Sequence, residues 1–365
     1  TQTYTGDLII ANDVTFAAAD FVFSDPAGDA INAAGILEFT SYDGSTSMDI
    51  GTAASTAFHL SDAELAAIAT AAQINFGASS NPLPTPAYNQ AQPVTIQTVD
   101  LSAVNTTGVD VHVYAEVTPG SVTLDDEAGA AAALAVGAGN IVIRSFNPIV
   151  ATDGANAVAE LDTAGTGAGS IVLSSSRAGA GRIGAAADPI QLATGADPIT
   201  IEAAPLGFFL DSMGGDLFLA DATGVDPGSA IALDGNRLVL FGDLDFPGVD
   251  LTITAATEIA EDLADSGSGI QIITDHTGTD GTVTFGNTIE RYSAGAYTGA
   301  YFLDIDAGSA AVDLQGSVGA ARRPASLSIV GSTVDLADTV ATSGAFNVTN
   351  SGALTIAAPA DITAD

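Results

Sequence analysis

Carboxylates are the side chains of this sequence best placed to act as acids, bases or metal ligands. Asp243, Asp245 and Asp250 form the densest alternating acidic cluster, with Arg237 just upstream. In an extended chain, residues two apart share a face, so Asp243 and Asp245 point the same way. Two such carboxylates could divide acid and base work on a polysaccharide, or hold a calcium ion. Asp304 and Asp306, with Arg291 upstream, form a second pair. Against both stands the usage of the residue. Of 44 acidic residues 35 are Asp and nine are Glu, so pairs at spacing two arise by chance. Asp favours corners, because its carboxylate bonds to nearby backbone, whereas Glu favours helices. The tandem Gly-Gly-x-Gly-x-Asp nonapeptide of calcium-binding solenoids is absent. The expectation is therefore no catalytic residue and no cofactor, with Asp243, Asp245 and Asp250 kept as candidate calcium ligands.

Other motifs carry less. Gly179-Ala-Gly181-Arg-Ile-Gly184 matches G-x-G-x-x-G, but Pro189 leaves too few residues for the helix that a dinucleotide site requires. His59, His112 and His276 lie too far apart for a local metal-ligand pattern. There is no Cys, hence no thiol nucleophile and no disulfide, and no G-x-S-x-G elbow. Arg322-Arg323-Pro324 is the only basic pair and is expected to bond neighbouring Asp. Tyr292, Tyr297 and Tyr301, followed by Phe302, could offer flat faces to a surface glycan or a protein ligand. With Gly295 and Gly299 between them, the preferred reading is an irregular coil filling its own core.

The formal charge of -37, with seven Arg and no Lys, excludes nucleic acid and anionic membrane surfaces as partners. It would keep a long apolar-cored rod in solution where salt or divalent cations screen self-repulsion. The longest stretch free of polar residues, Ala128 to Gly139, is too short and too weakly apolar to span a bilayer, so no transmembrane segment is expected. The chain opens at Thr1 without a charged-then-apolar leader, and a signal peptide is expected to have been removed.

The backbone that carries these side chains is written as short β-branched runs. Examples are Val94-Thr-Ile-Gln97, Ile141-Val-Ile143, Ile171-Val-Leu-Ser174, Leu251-Thr-Ile-Thr254, Val283-Thr-Phe285 and Leu327-Ser-Ile-Val330. Corners of Gly, Asp, Asn and Ser separate them, and long helical crossovers are missing. Strands too short for a free-standing hairpin fit coils stacked along an axis. The fold class expected is all-β, a right-handed parallel β-helix (β-solenoid) over residues 1–365, in a single elongated domain. Coils of roughly 20 to 25 residues would number about 15. One short helical and loop insertion is expected at 58–93. Ser61-Asp-Ala-Glu64 is a capping box, predicting a helix from Ser61 to about Ala72. Pro82, Pro84, Pro86 and Pro93 then force an extended loop.

Three blocks carry a resemblance. They are Thr1-Gln-Thr-Tyr-Thr-Gly6 followed by Ile10-Ala-Asn-Asp-Val-Thr15; His59-Leu-Ser-Asp-Ala-Glu-Leu65 leading to Ile74-Asn-Phe-Gly77; and Arg182-Ile-Gly184 with Asp188-Pro-Ile-Gln-Leu192. Together with Gly215-Asp-Leu-Phe-Leu219 and Gly352-Ala-Leu-Thr-Ile356, the sequence resembles the body of filamentous-haemagglutinin-like adhesins, large exoproteins of Gram-negative bacteria. The Asn-Pro-Asn motifs of that family's secretion domain are absent, so the resemblance is to the shaft. The family continues into further coils past the end of this segment, and the chain is expected to be a piece of a larger polypeptide. The resemblance implies a secreted, extracellular shaft displayed at the cell surface, not an enzyme. Its partners would be other coils of the same exoprotein or other copies, and a surface glycan or a host or particle ligand. Two other readings remain: a subunit of a self-assembling extracellular fibre, and a polysaccharide lyase or hydrolase on a β-helix.

Overall fold

The computed structural model describes the chain except residues 1, 19, 24–27, 29, 42–45, 53–57, 78–91, 107, 128–130, 153–156, 164–168, 177–180, 195–196, 261–268, 293–300, 358–360 and 365. Two compact units are present, Thr1–Asp197 and Pro198–Asp365. Every pairing between named strands is parallel in the described residues, as the absence of hairpin chemistry requires.

In the first unit, one sheet takes a strand from each coil: Val14–Ala18, Ile36–Ser41, Gln73–Phe76, Asp110–Ala115, Ile141–Ser145 and Ile171–Ser175. A second sheet takes Met48–Gly51, Val94–Gln97, Val122–Asp125 and Ile149–Ala151. A third takes Val99–Asp100, Leu134–Ala135, Leu161–Asp162 and Ile190–Ala193. The chain visits the three in rotation, the signature of a β-helix. Register places like on like. Phe16, Phe39, Phe76, Val113, Ile143 and Leu173 form one inward column, and Met48, Val94, Val122 and Ile149 another. All are buried, and each full side chain removed from water contributes roughly 1.5–3 kcal/mol. Phe16 and Phe39 stack at 5.3 Å, with Tyr4 and Phe21 packed edge-on or tilted around them. At the corner after Met48–Ile50 the backbone of the next coil comes so close that a side chain is excluded. A Cβ on Gly51, whose φ is 101°, would meet the Gln97 carbonyl at 1.8 Å.

The second unit repeats the scheme. The long strand Asp216–Ala222 serves two faces. Its first half pairs with Arg237–Leu240, which leads to Ala256–Ile259 and Ile289–Arg291. Its last residue pairs with Leu244, which leads to Ile270–Ile273, Phe302–Asp306, Ser326–Gly331 and Phe346–Asn350. The third face stacks Leu251–Ile253, Val283–Phe285, Ala311–Leu314, Thr333–Leu336 and Leu354–Ile356. Ile272, Ile305 and Ile329 line up in one buried inward column, and Val283, Val312 and Val334 in another.

The all-β parallel solenoid expected from the strand runs is present. The coils are longer than expected in places: neighbours on adjacent rungs are separated by 21 residues at Asp216 and Arg237 but by 37 at Ala33 and Thr70. Rungs are accordingly fewer. The capping box is formed, with Ser61 accepting from the Glu64 amide and Glu64 accepting from that of Ser61. The helix stops at Ala66 rather than near Ala72, because Ile68–Thr70 is drawn into a strand beside Ile31–Ala33 and Gln73–Phe76 into the main sheet. Phe58–Leu60 pairs alongside Met48–Ile50 as an extra strand. Pro82, Pro84 and Pro86 lie outside the described residues.

Candidate functional site

Two of the three carboxylates singled out in the sequence, Asp243 and Asp250, join coils. Asp243 Oδ1 accepts the amide of Gln271 at 2.7 Å, one coil on, and Asp250 Oδ1 accepts both the amide and the hydroxyl of Thr282 at 2.8 Å. Asp245 is exposed. The arrangement recurs: Asp7 accepts from Ala30, Asp13 from Ile36, Asp110 from Asn140, Asp221 from Asp243 and Asp280 from Ser309. Each acceptor precedes its donor by one coil, so a corner carboxylate caps an amide on the next rung. No group of three or more His, Cys, Asp or Glu is placed to hold a metal ion among the described residues. The second pair differs, its side-chain bond staying within its own turn. Asp306 caps the Gly308 amide, while burial pushes the Asp304 carboxyl up.

The other candidates disperse. Tyr301 is buried, with the Arg291 guanidinium 5.6 Å from its ring centre. Tyr292 is partly buried against Phe241 and Phe218 at 5.4 and 6.5 Å. Neither offers a free flat face; Tyr297 lies outside the described residues. Where the glycine motif ends, Ile183 bridges to Ile149 and Gly184 turns with φ of 66°, so no helix follows. His59 bonds the Gly51 carbonyl, and the His276 amide is capped by Asp280.

Two outward-facing rows concentrate the polar chemistry. In the second unit Arg237 Nε bonds Asp216 at 3.0 Å, and its Nη1 bonds Glu258 Oε1 at 2.7 Å. Arg322 bonds the same oxygen at 2.5 Å. Glu258 is 4% exposed and its other oxygen, Oε2, has no hydrogen-bond partner. The hydrogen bond from Arg237 holds the Asp216 carboxyl below its usual range. Arg322 thus pairs with a Glu.

In the first unit the row is Thr15, Glu38, Asn75 and His112, in register on four successive strands. Thr15 donates to Glu38 at 3.1 Å, and Asn75 also bonds that carboxylate. Gln73 Nε2 donates to Asn75 Oδ1 at 2.6 Å and contacts His112 Nδ1 at 3.1 Å, which in turn lies 2.7 Å from the Tyr114 hydroxyl. Burial pushes Glu38 up and His112 down.

Sequence reasoning missed both rows, although one signal was available. In a chain that uses Asp almost everywhere, Glu38, Glu64, Glu160 and Glu258 are all buried, and each bonds at least one partner distant in sequence. The longer side chain reaches where Asp cannot. No protein-family model, no curated protein and no solved structure matches the chain.

Proposed function

We propose that this chain is a non-catalytic structural shaft segment of a secreted bacterial adhesin displayed at the cell surface, acting by reach and presentation. The observation that supports this best is the use of the corner carboxylates. Asp243, one of the same-face pair suited to acid and base work, and Asp250 are engaged with Gln271 and Thr282 of the next coil. Such bonds tie rung to rung, as an extended shaft requires, and they engage oxygens that catalysis or calcium would need. The motif resemblance supports the extracellular assignment, and the large negative charge suits a shaft that must not collapse onto anionic surfaces.

A fibre subunit is the second reading. Leu354, Ile356 and Ile362 are 44%, 46% and 37% exposed on parallel strands, a surface on which a further coil or a second copy would pack. The test is immunolabelling of intact cells that produce the full-length polypeptide, together with incubation of the purified chain with pectin and alginate. Surface label without release of unsaturated sugars is expected. Sugar release would overturn the shaft reading, as would label confined to permeabilised cells. Regular filaments of purified chain in electron micrographs would favour the fibre.

A further inference from the structure

The outward row of the first unit has a direction. An ionised Glu38 can only accept, so Asn75 must turn its Nδ2 toward it, which leaves Asn75 Oδ1 facing Gln73. Gln73 therefore presents Nε2, and the same nitrogen faces His112 Nδ1. That contact favours a neutral His112 with its proton on Nε2, its Nδ1 lone pair shared between the Gln73 amide and the Tyr114 hydroxyl. A single carboxylate thus fixes the orientation of two amides and the tautomer of a histidine two coils away.

The reverse polarity is also self-consistent. A proton added at Nδ1 turns His112 into a donor: the Tyr114 hydroxyl can accept it, and the Gln73 amide, no longer matched, rotates its Oε1 toward the ring. The same oxygen then faces Asn75, which must rotate to present Nδ2. Asn75 Oδ1 now faces Glu38, and that contact holds only if Glu38 carries a proton. Both protons come from solvent and no covalent bond changes. Intermediate arrangements place two donors or two acceptors face to face. At the contact of Glu38 with Asn75, which are 8% and 6% exposed, water cannot readily relieve the clash, while Gln73 and His112 are half-buried.

We propose that Glu38 and His112 take up protons as a coupled pair through concerted reorientation of Asn75 and Gln73, making this face of the first unit an acid-sensitive two-state switch. Asp110 and Arg144, the other charged groups acting on His112 among the described residues, flank it on its own strand and the next. They act on His112 in opposite directions. Burial holds Glu38 above and His112 below their ordinary values, which brings the two titrations together.

The experiment is an NMR titration of the His112 ring nitrogens in the whole chain. Wild type is expected to show the Nε2-protonated neutral tautomer and a transition steeper than a single proton gives. In Glu38→Gln the midpoint should move up, because a neutral amide accepts either row polarity. Coulomb's law alone predicts the opposite, since removing an anion makes a histidine harder to protonate. Asn75→Leu, which cuts the row, should restore a one-proton slope. An Nδ1-protonated neutral ring, a one-proton slope in wild type, or a midpoint that falls or stays put in Glu38→Gln would each overturn the proposal. The wild-type readings decide the matter even if a variant fails to fold.

Discussion

The two units are alike in the chemistry of their inward faces and differ in that of their outward ones. Inside, both stack aliphatic columns, Val113 on Ile143 on Leu173 in the first and Ile272 on Ile305 on Ile329 in the second. Outside, the first carries a partly buried row of neutral amides ending in Glu38 and His112, and the second a row of ions, Asp216, Arg237, Glu258 and Arg322. The β-helix fixes which residues meet across a rung but leaves the outward chemistry open. A row of hydrogen bonds has a polarity that can reverse, whereas a row of ion pairs has only strength, which salt can screen.

The largest effects should therefore be common to both units. Phe39→Ala and Ile305→Ala each empty a fully enclosed inward position and should cost about 3–5 and about 2–5 kcal/mol respectively, measured by denaturant unfolding. Next comes Glu258→Gln, which leaves Arg237 and Arg322 without their shared anion. Loss of a buried partner costs about 3–5 kcal/mol, but these guanidinium groups are 36% and 33% exposed, so about 1–3 kcal/mol is expected. Added salt should narrow the gap to wild type, whereas Asn75→Leu in the first unit should respond little to salt. Asp250→Ala, which removes an inter-coil cap, should cost about 1 kcal/mol and raise hydrogen exchange at the Thr282 amide.

Acid should separate the units further. Bonds from Ser309 and from the amide of His276 hold Asp280 down to about 2, and Arg237 holds Asp216 down. Folded carboxylates that bind protons less tightly than unfolded ones contribute stability above the ordinary Asp value, and it is lost as pH falls through the folded one. The second unit should thus weaken from about pH 4 toward pH 2, and Asp280→Asn should flatten that limb of an acid titration. Glu38 has the opposite sign. Its raised folded value means that its contribution is present in acid and lost as pH rises through that value. The smallest effect belongs to Asp245→Asn, an exposed change expected to stay within about 0.5 kcal/mol of wild type.

Much of the fold was legible because its signals are local. Runs such as Ile141–Ser145 read as strands from β-branching alone, and the Ser61 to Glu64 capping box announced a helix start. The helix end was not legible, since Ile68 suits a helix face equally well and only pairing with Ile31 decides it. Coil length was misjudged for a related reason. Enlarging a corner loop costs little closure entropy, so nothing in a strand run fixes the distance to the next. The outward rows were illegible because Glu38, Asn75 and His112 become neighbours only through register. Asp243 and Asp250 looked like a cluster in sequence, yet each faces a different partner one coil away.

The central claim is that positions one coil apart in sequence stand in contact as columns. The chain has no Cys, so engineered pairs report without background. Thr95 and Thr123 are in register on adjacent rungs, about 4.8 Å apart by strand spacing, while Val150 lies one rung further. Under mild oxidation Thr95→Cys with Thr123→Cys should form an intramolecular disulfide in the folded chain, and Thr95→Cys with Val150→Cys should not. Efficient bridging of the second pair, or none in the first, would contradict the coil register on which the account rests.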